Sequence, residues 1–444
     1  MKIMKFGGTS VGKPEMMRRV AQLITRDNQP KMVVLSALSG TTNALIAISQ
    51  DLYEHKKQSA AEKIDKLYQH YQQFVELLYQ NEKYKKEAQT KVREQFNQIH
   101  TLAATKKFTS VEERIMLAQG ELLSTQMFAL LCQELGIKSL LIPALEFMRI
   151  DADGEPDLTF IEQNLRKILA SYEPFPIYIT QGYICKNSND EIDNLKRGGS
   201  DYTASLLGAA LRSPAIEIWT DINGMHNNDP RIVKKTFPIA ELSFEEAAEL
   251  AYFGAKILHP TCIIPAQKYN IPVWLLNTMQ PEAQGTVIKN LPNSSNKPDI
   301  RAIAAKDGIT AINIKSSRML LAYGFLRKIF EVFEKYKTPI DMITTSEVAV
   351  SLTIDNPAYL SEITLELKKF GQVQIDKQQT IICVVGNFKA EKSGVVAKVL
   401  QSLKEIPLRM VSYGGSDHNI SILLDTQYKA IALNTLNESL FEWK

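Results

Sequence analysis

The chain has 444 residues, beyond the size at which one hydrophobic core usually stops growing, so two or three domains are expected. Its hydrophobic share of 45% and charged share of 23% are ordinary for soluble globular proteins and exclude disordered, collagen-like and disulfide-scaffold classes. The 52 basic and 49 acidic side chains are interleaved and leave a net charge of +3, so charge gives no ground for a nucleic-acid partner.

The chain opens on an apolar segment, Ile3 to Phe6, then Gly7, Gly8, Thr9 and Ser10, then a helical pattern from Pro14 to Thr25. That order reads as strand, phosphate-sized loop, helix. Neither a signal-type apolar region nor a later stretch of 18 apolar residues is apparent, which predicts a soluble, cytosolic protein. Lys31 to Ala37 is a second β-branched run, ending in small polar residues before another helical stretch. Strands alternating with helices predict an α/β fold with a mainly parallel sheet sandwiched by helices. Residues 52–104 lack Gly and Pro and read as long amphipathic helices inserted beside the sheet, with no evident chemistry. Buried strands are expected at Ser139–Ile142, Pro176–Thr180, Ala215–Thr220 and Ile271–Leu276.

Cys132, Cys185, Cys262 and Cys383 are scattered, which suggests neither a zinc site nor a disulfide framework and fits a reducing cytoplasm. Pro281 to Pro298, with three prolines and Gly285, reads as a linker. Beyond it, β-rich segments alternate with two helical stretches, Phe325–Tyr336 and Gly394–Leu403, and predict a pair of small ferredoxin-like modules.

Three segments carry candidate chemistry. KFGGTS matches neither the Walker A nor the dinucleotide pattern, but its paired glycines allow close approach of an anion and Lys5 supplies a point charge. A plain tight turn is the alternative. In LKRGGSDYTA, Arg197 is placed to hold a carboxylate and Asp201 to bind Mg²⁺ or orient reacting groups; a capped helix start would use Ser200 or Asp201 equally well. Thr220 and Asp221 close a strand ahead of Asp229, Pro230 and Arg231, where open α/β sheets bind ligands, although a turn with Arg231 paired to Asp229 fits the same residues.

Taken in order, KFGGTS, VVLSALSGTTN, GELLST, TQGYI, RGGSDYTA, WTDINGMHNNDPR, EAAELAYFGAKILHP and DMITTSEV closely resemble the aspartate kinases, in particular the monofunctional, lysine-sensitive type. The resemblance spans nearly the whole chain. It implies the amino-acid-kinase fold over residues 1–290, a linker at 291–300, and a tandem ACT region at 301–444, the first module about 310–385 and the second about 301–309 plus 386–444. It further implies transfer of the ATP γ-phosphoryl group to the β-carboxylate of L-aspartate, the first step toward lysine, threonine and methionine. Mg²⁺ is the implied cofactor, with no protein side chain assigned as its direct ligand.

By the same resemblance Lys5 and Asp201 are catalytic, and Ser36, Thr42, Glu121, Tyr183, Arg197 and Ser200 bind the substrate, Glu121 taking its α-amino group. Lys5, Gly7, Gly8, Thr220, Asp221, His226, Arg231 and Lys256 correspond to ATP-binding positions. Met319, Gly324, Phe325, Leu326, Asp341, Thr345 and Ser346 resemble an effector pocket in which Asp341 would meet the ε-ammonium of lysine. A homodimer paired through the ACT modules is implied.

The chain departs from the family at Cys185 and Lys196, where glycine is common, at Ile192–Asn194, and at His226 in place of a nucleotide-loop tyrosine. A catalytically silent amino-acid-binding regulator and another acyl-phosphate-forming kinase, such as a glutamate 5-kinase, are the competing expectations. Modules serving only as dimerisation surfaces are an alternative to an effector site.

Overall fold

The computed structural model describes residues 1–196, 198–254, 258–291, 299–316, 323–388 and 393–441. They divide into two compact units.

The first unit comprises the described residues of Met1–Met225, Ala240–Phe244 and Ile257–Leu291. In chain order its elements are β1 (Lys2–Phe6), α1 (Gly8–Val11), α2 (Pro14–Ile24), β2 (Lys31–Leu35), α3 (Thr41–Tyr53), α4 (Lys57–Leu78), α5 (Glu82–Ala103), α6 (Ser110–Glu134), β3 (Ser139–Leu141), α7 (Leu158–Ala170), β4 (Ile177–Gln181), β5 (Ile184–Lys186), β6 (Ile192–Asn194), α8 (Gly199–Leu211), β7 (Ile216–Thr220), β8 (Glu241–Leu242), and, beyond α9 (Phe244–Tyr252), α10 (Ile263–Lys268), β9 (Val273–Asn277) and β10 (Thr286–Ile288). Eight strands form one sheet in the order β3-β4-β2-β1-β7-β9-β10-β8, and every pair is parallel except β9 with β10. The central strands β1, β2 and β4 are buried almost throughout, which is why they read as unbroken apolar runs.

Helices α4, α5 and α6 complete the core: Ile64, Leu67, Tyr71, Phe74, Val75 and Leu78 recur on one face of α4 and pack in the cluster that holds Val33, Ile48, Phe96 and Phe128. Helix α6 opens with a capping box in which the Glu112 side chain accepts from the Thr109 amide at 2.8 Å. Helix α6 holds no run of 18 apolar residues, as expected, yet by length and mean hydropathy it could cross a membrane; 78% of its apolar window is buried within the structure. Burial of that kind marks a core helix. Strand β10 also falls inside the segment read as linker, because Thr286–Ile288 pair with β9.

The second unit comprises the described residues of His226–Ile239, Glu245–Lys256 and Pro292–Lys444. The structure therefore divides the chain differently from the expected 1–290 and 301–444. Asn227 explains part of the difference: its carbonyl accepts from the Ile303 amide at 2.8 Å and its side-chain amide donates to Asn437 Oδ1 at 3.1 Å. Beyond α9 the unit holds β11 (Ile300–Lys315), α11 (Phe325–Lys335), β12 (Ile343–Thr345), β13 (Ala349–Ile354), α12 (Leu360–Leu367), β14 (Gln372–Gly386), α13 (Val395–Ser402), β15 (Met410–Tyr413), β16 (Asn419–Asp425) and α14 (Lys429–Leu440).

Its six strands form one antiparallel sheet, β12-β13-β11-β14-β16-β15. The long strands β11 and β14 are shared, with register shifts between Lys306 and Ala311. The later part of β11 and the start of β14 complete one ferredoxin-like module with β12, β13, α11 and α12, around Ile312, Ile329, Leu352 and Ile363. The start of β11 and the end of β14 complete the other with β15, β16, α13 and α14, around Ile382, Val384, Ile422 and Leu436. The expected boundary at 385/386 falls inside β14, whose residues Gln379–Val385 already pair with β16, so the change of module lies near Gln379.

Candidate active site

In the first unit, β4, β2, β1 and β7 are adjacent and parallel, so the residues that follow them share one edge of the sheet. Carboxyl ends of parallel strands are where open α/β sheets place ligands. Lys5 lies near the end of β1, is 9% exposed, and its Nζ meets Asp201 Oδ1 at 2.5 Å. Asp201 stands in the first turn of α8, which begins after Gly198 at φ +80°, a conformation that favours glycine.

Beyond Lys5, the Gly7 amide is used within the fold, donating to the Trp219 carbonyl at 3.3 Å, and Gly8 begins the single turn α1. The Gly7 amide is thus engaged within the fold. A β-carbon there would lie 3.4 Å from Lys5 Nζ, an ordinary contact distance. After β2, the Ser36 hydroxyl donates to Ser200 Oγ at 2.8 Å, and the Ser36 carbonyl accepts from Ser124 of α6. Thr42 is half-buried in the first turn of α3, beside Thr41, whose hydroxyl lies 2.9 Å from that of Tyr71. The helical insert therefore contributes Tyr71 to this edge, which its amphipathic pattern alone did not reveal.

Glu121 of α6 is 3% exposed, and its Oε2 has no hydrogen-bond partner among the described residues. Burial raises its carboxyl to about 8, with the amides of Ala37 and of Glu121 itself opposing the shift. Gly120 permits the close approach, since a β-carbon there would stand 2.8 Å from Cβ of Ala37. Because the folded protein holds this proton more tightly than the unfolded chain does, stability falls as pH rises from about 4.5 through 8. Glu121→Gln, which cannot ionise, is expected to melt above the unaltered protein at pH 8 and close to it at pH 5, as read by calorimetry.

Tyr183 follows β4 at φ +66°, an uncommon conformation for a tyrosine, held by hydrogen bonds from its amide to Thr203 Oγ1 (3.0 Å) and from the Leu195 amide to its carbonyl (2.8 Å). Burial pushes its phenol up, and the Glu121 carboxylate adds to that shift. Gly182, which sequence reasoning did not single out, lets Ser200 pack against β4: a β-carbon would fall 2.3 Å from Ser200 Oγ. At the end of β7 the Thr220 hydroxyl reaches Asp221 Oδ1 at 3.3 Å and Asp221 is exposed. Arg197 and Lys256 lie outside the described residues.

The remaining nucleotide-loop candidates belong to the second unit. His226 Nδ1 is 2.9 Å from Thr236 Oγ1, and burial lowers its pKa. Arg231 forms the Asp229 pair that the sequence left open, Nε to Oδ1 at 2.9 Å and Nη2 to Oδ2 at 2.7 Å, and this holds the Asp229 carboxyl below its usual range. Of the effector candidates, Gly324 (φ +74°) caps α11, Phe325 is buried, Leu326 and Thr345 are exposed, and the Ser346 amide donates to the Ala349 carbonyl at 2.9 Å. Asp341 already has donors: Lys306 Nζ at 2.7 Å and the Tyr252 hydroxyl at 2.9 Å. Met319 lies outside the described residues.

A parallel sheet with a lysine–carboxylate pair at its strand ends, and two ferredoxin-like modules sharing one sheet, are the architecture of a phosphotransferase with appended small domains, and comparison with known proteins agrees. Residues 1–277 match the amino acid kinase family and residues 382–440 an ACT domain. Lysine-sensitive aspartokinase 3 of Escherichia coli is 32% identical, with 99% of each chain covered, and the chloroplastic aspartokinase 3 of Arabidopsis thaliana is 32% identical over 99% of this chain and 81% of its own length. The crystal structure of E. coli aspartokinase III with aspartate and ADP superposes with a TM-score of 0.87, and that with lysine and aspartate with 0.81, both at 32% identity and full coverage of each chain. The chain belongs to the aspartokinases.

Proposed function

We propose that this protein transfers the γ-phosphoryl group of ATP to the β-carboxylate of L-aspartate, forming 4-phospho-L-aspartate, and that lysine inhibits it through the first ACT module. The observation that carries the reading is the Lys5–Asp201 pair at the strand ends, on the same unit as a buried carboxylate, Glu121, with a free acceptor. An acceptor carboxylate with a pKa of about 3.9 is already ionised at neutral pH, so no general base is needed. The protein's task is then positioning and charge neutralisation.

Glu121 takes the substrate's α-ammonium and Arg197 a carboxylate, with Ser36, Thr42, Tyr183 and Ser200 beside them. Lys5 lies over the transferring phosphoryl group, and Asp201, by holding Lys5, fixes where that ammonium points. Lys5, Gly7, Gly8, Thr220, Asp221, His226, Arg231 and Lys256 are the positions that the family resemblance assigns to the nucleotide. The described residues contain no cluster of three metal-binding side chains. Mg²⁺ that arrives with the triphosphate keeps most of its waters and needs few protein ligands, and the exposed carboxylate of Asp221 would supply one. When bound, the ion supplies further positive charge at the phosphate oxygens. A cytoplasmic homodimer, paired through the ACT modules and acting early in lysine biosynthesis, fits the same reading.

An ATP-dependent hydroxamate assay tests this. Product with aspartate, suppressed by lysine rather than by threonine or methionine, is expected. Product with glutamate instead identifies another acyl-phosphate-forming kinase, and none with either identifies a silent regulator.

A further inference from the structure

Asp341 precedes β12 with its side chain 1% exposed. Its Oδ1 accepts from both Lys306 and Tyr252, whereas its Oδ2 is buried without a hydrogen-bond partner among the described residues. Lys306 also reaches Asp355 Oδ2 at 2.9 Å, and its ammonium lies 4.6 Å from the centre of the Tyr252 ring. A single ammonium thus answers two carboxylates, and the cluster retains one negative charge. A buried charged acceptor lacking a donor is costly, so both the charge and the bare oxygen favour the arrival of a second cation.

We propose that Lys306 is a tethered competitor for the effector's own ammonium. A cationic amino acid places its side-chain ammonium on Asp341, Lys306 withdraws to Asp355 alone, and two carboxylates then face two ammonium groups. Tyr252 registers the exchange, because the cation over its ring leaves while its hydroxyl still donates to Asp341. It ends α9, so the event is passed to the helix that leads in sequence to Lys256. This inference rests on the first module being the lysine site, and it adds Lys306, Asp355 and Tyr252 as positioning residues. It also accounts for selectivity: a neutral side chain of equal length leaves the negative charge unanswered.

Calorimetric titration of lysine and of norleucine into the full-length protein, with kinase assays alongside, tests the exchange. Norleucine should not bind. Lys306→Met, and Lys306→Gln as a variant that keeps a hydrogen-bond donor, should each tighten lysine binding about tenfold, the effect of removing a competing ion pair. Asp355→Asn should weaken it about as much, since Lys306 then has only Asp341 to hold. Tyr252→Phe should bind lysine yet lose most of the inhibition. A purely structural role would weaken binding in every variant, and that result, an unaffected Asp355→Asn, or full inhibition of Tyr252→Phe overturns the proposal. Failure of the unaltered protein to bind lysine instead overturns the effector reading, and this inference with it.

Discussion

Lys5→Ala is expected to lower turnover by on the order of a hundredfold or more, the usual scale for one preorganised donor to a transition-state charge. Lys5 is 9% exposed and ion-paired at 2.5 Å, so its position is set before substrate arrives. Truncation removes the charge and also leaves Asp201 beside the phosphates without its cation, a second unfavourable term of the same sign. Lys5→Arg should not restore the rate, because a planar, forked guanidinium does not reproduce the compact point charge that meets Asp201 at 2.5 Å. Steady-state rates at saturating ATP and aspartate decide the matter. A Lys5→Ala enzyme within threefold of the original would remove Lys5 from the mechanism.

Glu121→Gln is expected to raise KM for aspartate about ten- to hundredfold with a smaller effect on kcat, the loss belonging to a charge-assisted hydrogen bond made in ground and transition states alike. The pH dependence gives an independent reading. In the free protein the carboxyl is raised to about 8, so near pH 7 it is mostly protonated, and the substrate's ammonium requires it ionised. For the unaltered enzyme kcat/KM for aspartate should therefore climb with pH up to about 8, and Glu121→Gln should flatten that limb. A profile left unchanged by the substitution would place the amino group elsewhere. The same substitution is expected to stabilise the fold at pH 8, so this residue sets binding against stability.

The strand ends were legible because each lies in an apolar run followed by small residues, as in KFGG and VVLSALSG, and the sheet simply brings those ends together. Glu121 was not legible from its own surroundings: it sits among buried residues of a long helix, and only the motif pointed to it. Two helices of the ferredoxin-like modules, α12 and α14, escaped sequence reading. The α12 segment LSEITLEL is eight residues long and carries β-branched residues, and its apolar spacing at Leu360, Ile363 and Leu367 is too brief to outweigh a strand pattern. The start of β11 was hidden by the proline-rich stretch before it. Pairings such as Lys306 with Asp341, or Asn227 with Asn437, depend on the assembled sheet and have no local signature.

The two shared strands have a further implication. Residues between Ile309 and Gln379, which face each other in the register of β11 and β14, enclose nearly all of the first ferredoxin-like module. It is thus an ornament mounted on the tip of a hairpin whose stem belongs to its neighbour. Evolution or an engineer could exchange it for a module of different binding chemistry while leaving the stem, and the core beneath it, untouched.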